Sequence, residues 1–193
     1  MTANVQRAFV LSLLVLLMAG TRINHFAPIP DASWAVFFIG GFYLRNWTRW
    51  AFPLLMGLAV VVDWAVISSQ GMSIWQHYSV SAAYWMLVPA YFVMWAGGML
   101  LRRYYRNANL KSLGLLAVSV VGSVALCHLI AQGSFYWISA SVAEPTFAGW
   151  AKNYSDWLLP YMQSAAIYIG AAALVQLAVE AISKQPADGR VAH

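Results

Sequence analysis

Charge is what this sequence has least of. Only 9% of its 193 residues are Asp, Glu, Lys or Arg, against roughly 25% in an ordinary soluble domain. With 62% of the residues apolar, water is excluded as the main solvent. Cysteine is nearly absent: Cys127 stands alone, which excludes an intramolecular disulfide and a CxxC redox or zinc motif. It is left as a small buried apolar residue. GxSxG, HExxH and a phosphate-cradling glycine loop are all missing, so no nucleophile, metalloprotease or ATPase motif argues for an enzyme, and the chain is not expected to hydrolyse ATP itself. No A-x-A cleavage site follows the apolar run 9–18, which is therefore read as a first helix, not a secretory signal. His25, His77 and His128 form no HxxxH or HxxE pair, and no haem is expected. A net charge of +5 would suggest nucleic acid in a soluble chain. Here the basic residues sit at the ends of apolar runs, so no nucleic-acid partner is inferred.

What is present reads as an all-α, multi-pass integral membrane protein. Each crossing needs ~20 residues, so the length suits a single domain over 1–193, a compact bundle of six transmembrane helices. They are expected near 5–21, 32–44, 50–69, 80–101, 111–131 and 158–183, with a polar C-terminal tail over 184–193. The aromatic segment 133–157 is expected to be a long loop, holding at most a short interfacial helix. Between the first two helices, Pro28 and Pro30 stop helical continuation, and Asp31 or Ser33 can cap the next helix. On this arrangement Arg7, Arg45, Arg49, Arg102, Arg103, Arg106, Lys111, Lys184 and Arg190 fall on one side, and only Arg22 and Lys152 on the other. The basic side is cytoplasmic by the positive-inside rule, which places both termini inside.

Asp63 is the strongest single functional signal, because an acid inside a spanning helix must face protein or a watery cavity and find partners there. It suits either a ligand pocket or a structural pairing with Arg22 or a neighbouring tyrosine. The same topology brings Tyr84, Cys127, His128, Tyr161 and Gln163 to the outer half, while the inner halves are expected to hold little but apolar and small residues. That asymmetry suggests a cup open to the outside, in which Trp34, Trp85 and Trp157 can wall a large flat ligand. His128 reads as a hydrogen-bonded packing residue.

HFAPIP (25–30) before the second helix, Asp63 late in the third and HYSVSAAY (77–84) leading into the fourth carry a resemblance. The chain resembles the S components of energy-coupling-factor (ECF) vitamin transporters, in particular the BtuM-type cobalamin (vitamin B12) uptake family. The resemblance implies a substrate-binding transport protein of the bacterial inner membrane. Its ligand would be cobalamin, and it would work with a separate ECF ATPase module or with none. It also implies a binding site at His25, Asp63, Ser79 and Tyr84. The family's cysteine, whose thiolate can ligate cobalt, is replaced by Ser79, so thiolate-assisted removal of the upper cobalt ligand is not implied here. His77, two residues earlier, is the candidate substitute cobalt ligand and joins the substrate-binding set. Two other classes stay open at this point: a membrane redox or haem protein, motivated by the histidines and Cys127, and an assembly protein using its glycine pairs for helix contacts. An S component for a different vitamin is also open.

Overall fold

The computed structural model describes residues 2–23, 30–71, 82–139 and 142–184. All regular structure among these residues is helical: α1 (Ala3–Arg22), α2 (Ser33–Leu44), α3 (Thr48–Ser69), α4 (Leu87–Tyr104), α5 (Leu110–Ile138) and α6 (Phe147–Lys184). Single 3-10 turns at Arg45–Trp47 and Ala82–Met86 lead into α3 and α4.

Five stretches of the described residues are long and apolar enough to cross a membrane: Ala3–Arg22, Ser33–Ser69, Ala82–Tyr104, Leu110–Ile138 and Phe147–Ser183. The second contains both α2 and α3, which double back on each other. Arg22 touches Ser33 at the start of α2 and Asp63 near the end of α3. The expected six crossings thus appear as five such stretches. With 12 residues, α2 is only ~18 Å long, short of the ~30 Å hydrocarbon core.

Helix α2 is instead the hub of the bundle. Every one of its residues except Tyr43 is buried, so it has no solvent or lipid face, as expected of a helix that is apolar all round. It packs most closely on α4, where glycines stand at the crossing. Gly40 and Gly41 lie against Trp95, and Gly98 lies against the backbone of Phe38. Missing side chains let the two backbones approach, the usual device where helices associate in lipid. Nearby, Trp95 donates from Nε1 to Thr48 Oγ1 (3.0 Å), and Thr48 donates to the Arg45 carbonyl (2.7 Å), tying α4 to the α2–α3 turn. The outward faces carry Leu113, Val118, Leu174 and Ile182, all exposed. In a membrane such apolar faces meet lipid, which is why the bundle can leave them uncovered.

The segment 133–157 is not the long loop expected from its composition. Helix α5 runs on to Ile138 and α6 begins at Phe147. The reason lies in its spacing: Phe147, Trp150, Tyr154, Trp157 and Tyr161 recur every three or four residues, a helical stripe. An exposed Lys152–Asp156 pair at i, i+4 (2.6 Å) lies along the same turns. With 29 and 38 residues, α5 and α6 exceed the ~30 Å core and must tilt or project from it.

Candidate functional site

The C-terminal ends of α1, α3 and α5 meet the N-terminal ends of α2, α4 and α6 around a cavity of about 670 Å³. One wall is built on Arg22, the last residue of α1. Arg22 is 5% exposed, and its guanidinium donates to both carboxylate oxygens of Asp63, Nε to Oδ1 and Nη2 to Oδ2, each at 2.7 Å. From Nη1 it also donates to Ser33 Oγ (2.9 Å), Asp31 Oδ2 (3.2 Å) and the Tyr91 hydroxyl (3.3 Å). Tyr84 donates to Asp63 Oδ2 at 2.6 Å. A planar guanidinium has five N–H donors in a fixed fork. Here it joins α1, α2, α3 and α4 through one buried ion cluster.

Asp31 does a second job. Its Oδ1 accepts from the Ser33 amide (2.9 Å) and the Ser33 hydroxyl (2.7 Å), satisfying the free donors at the start of α2. Helix α6 secures the same corner, with Ser164 donating to the Asp31 carbonyl (3.0 Å) and Tyr168 to the Pro30 carbonyl (2.6 Å).

The facing wall is aromatic and neutral. Trp34 of α2 stacks on Tyr161 of α6, with ring centroids 4.5 Å apart and planes within 12°. His128 of α5 lies 5.2 Å from Tyr161 and 4.8 Å from Tyr154. Since a carbonyl can only accept, the 3.0 Å contact of His128 Nε2 with the Tyr154 carbonyl fixes the proton on Nε2. Tyr154 returns a bond from its hydroxyl to the Ala125 carbonyl (3.0 Å), stitching α5 to α6. Trp157 completes this wall, and Gln132 and Asn153 line it one turn beyond.

Asp63 and Tyr84 are therefore brought together in direct contact, and Trp34, Trp157, His128 and Tyr161 line the same cavity. Trp85 does not, being 74% exposed. Gln163 is exposed and not part of the lining, and Cys127 is buried against the core beneath it. His25, His77 and Ser79 lie outside the described residues. Among the described residues no group of three or more His, Cys, Asp or Glu side chains could hold a metal ion. Sequence reasoning missed Tyr91, Gln132 and Asn153. Gln132 is one turn after His128 on the same helix face, a signal hidden when the helix is ended at residue 131.

The expectation of an apolar opposite half is overturned. There Tyr105 and the Ala108 amide donate to Glu180, while Tyr43 donates to Gln176 (2.7 Å) and Gln176 to Glu180 (2.8 Å). Carried on α2, α6 and the α4–α5 connector, these groups satisfy one another beside a second cavity of about 380 Å³ whose lining is mostly apolar. They are spread along the chain from 43 to 180, so no local pattern announces them.

No protein-family model matches this chain, and no curated protein matches it.

Proposed function

We propose that this chain is the substrate-binding membrane subunit of a vitamin transporter, and that it takes up cobalamin across the bacterial inner membrane. The observation that carries the reading is the cavity of about 670 Å³ between an ion cluster and an aromatic wall. Its size is within the ~300–1,000 Å³ of small-molecule sites, which combine apolar walls with a few fixed polar groups. Trp34, Tyr161 and Trp157 line the cavity with aromatic surface for a large planar ring. The Tyr84 hydroxyl, which donates to Asp63, keeps lone pairs that can accept a hydrogen bond at the ring's edge. Arg45, Arg49, Arg102, Arg103, Arg106 and Lys111 occupy helix ends remote from the cavity. By the positive-inside rule the cavity then opens outward and both termini are cytoplasmic, with α2 counted as the sixth, shortened crossing. The resemblance to BtuM-type S components supplies the ligand, and transport would proceed with an ECF ATPase module or without a dedicated one.

Isothermal titration of the purified protein with cobalamin and other vitamins tests the reading. Stoichiometric binding of cobalamin is the expected result; no binding of any vitamin removes the assignment. A corrinoid visible spectrum after growth with cobalamin separates uptake from the haem alternative, which predicts a Soret band that shifts on reduction.

The position where the chain departs from the family gives a second test. Ser79→Cys is expected to alter the cobalt absorption spectrum of bound cobalamin, because a thiolate ligates cobalt and a hydroxyl is a poor ligand. An unchanged spectrum in a variant that still binds means that position 79 does not face the metal. If His77 ligates instead, binding weakens as acid protonates its imidazole, because only the neutral ring can coordinate, and His77→Ala abolishes that dependence.

A further inference from the structure

The two walls of the cavity differ in what they leave unsatisfied. On the α1–α4 side, Arg22, Asp31, Ser33, Asp63, Tyr84 and Tyr91 bond to one another. On the α5–α6 side, Gln132 donates from Nε2 to Asn153 Oδ1 at 2.8 Å. Its own Oε1 is buried and accepts no hydrogen bond among the described residues. A buried acceptor without a donor costs free energy, and a donor that reaches it removes that cost. Both residues line the cavity, and each is a primary amide with donor and acceptor capacity on one plane.

The chemistry of the missing partner follows from the charges around the pair. A carboxylate would need a cation. Arg22 is committed to Asp63 and Asp31, and Lys152 is an exposed residue paired with Asp156 at 2.6 Å. A hydroxyl donates and accepts through one oxygen atom, so it cannot meet two amide groups side by side in one plane. A primary carboxamide supplies an N–H for Gln132 Oε1 and a carbonyl for an N–H of the amide pair, with no charge to desolvate. We infer that Gln132 and Asn153 form a receptor for a carboxamide group of the ligand and select it over the corresponding carboxylate. This rests on the reading of the cavity as a corrinoid site, since the corrin rim carries carboxamide side chains.

The test uses the full chain in lipid nanodiscs, titrated with cobalamin and with cobalamin monocarboxylates in which one rim amide has been hydrolysed. The wild type is expected to bind cobalamin about tenfold more tightly than at least one monocarboxylate, the effect of one or two lost hydrogen bonds. Gln132→Met, which keeps the side chain's length, is expected to weaken cobalamin by a similar factor and to abolish that preference. Gln132→Glu and Asn153→Asp keep the shape and should discriminate more strongly against the acid through like-charge repulsion.

If Gln132→Met lowers the melting temperature while the amide-over-acid preference stays at its wild-type value, the pair is only a seam between α5 and α6. The inference is then wrong although the cobalamin reading stands. If the wild type binds no corrinoid, both fall together, and that outcome is read from the first titration alone.

Discussion

Asp63→Ala is expected to destabilise the folded bundle by about 3–5 kcal/mol, the cost of removing one partner from a buried ion pair. The pair is deep, with side-chain exposures of 6% for Arg22 and 11% for Asp63. Arg22 would keep Asp31, Ser33 and Tyr91, but two charge-assisted bonds of 2.7 Å would be lost, and the Tyr84 hydroxyl would lose the carboxylate it donates to. Asp63→Asn, which keeps the shape, should cost less. The double variant Arg22→Leu with Asp63→Leu should recover much of the loss, because buried pairs can often be replaced by apolar residues at little cost. Thermal and denaturant unfolding in detergent measure this. A loss below about 1 kcal/mol for Asp63→Ala would place the pair among weak surface bridges, against the geometry. Ligand binding is a separate readout: if Asp63 also contacts substrate, Asp63→Asn should weaken binding by more than its effect on unfolding would suggest.

A single added methyl group at the α2–α4 crossing is expected to be the next most costly change. A Cβ at Gly41 would overlap the Trp95 carbonyl, and one at Gly98 would overlap the Phe38 carbonyl. In both cases the obstacle is backbone, which no rotamer change can move aside. Gly41→Ala and Gly98→Ala should each destabilise by about 1–3 kcal/mol. Their effects should fall short of additive, since the first to force the helices apart makes room for the second. Gly57→Ala and Gly122→Ala are the controls. A Cβ at either meets nothing within 4 Å, and alanine is the better helix former by about 1 kcal/mol, so both should be neutral or stabilising. Equal losses at all four positions would mean that close approach is not what these glycines provide.

How much of this was legible beforehand depended on whether the signal was local. The membrane class followed from composition, and Asp63 stood out because few other spanning positions carry an acid. A structural pairing with Arg22 or with a neighbouring tyrosine was available as one alternative, since an acid in that setting must find partners. The aromatic stripe from Phe147 to Tyr161 was equally local, but its helical spacing was obscured by a composition that also suits an interfacial loop.

The sequence alone determined that this chain is helical and membrane-embedded, because hydropathy and helical period are properties of neighbouring residues and need no knowledge of the fold. It also determined that the basic residues gather at one set of helix ends. Only the tertiary structure decided that α2 is a short buried hub and that Gln132 meets Asn153 on the wall of a cavity. Each of those facts depends on residues far apart in the chain: Phe38 with Gly98, Tyr43 with Gln176, Arg22 with Asp63. Which helix faces pack together is set by shape and by the pairing of buried polar groups, and neither is encoded in any single stretch of sequence.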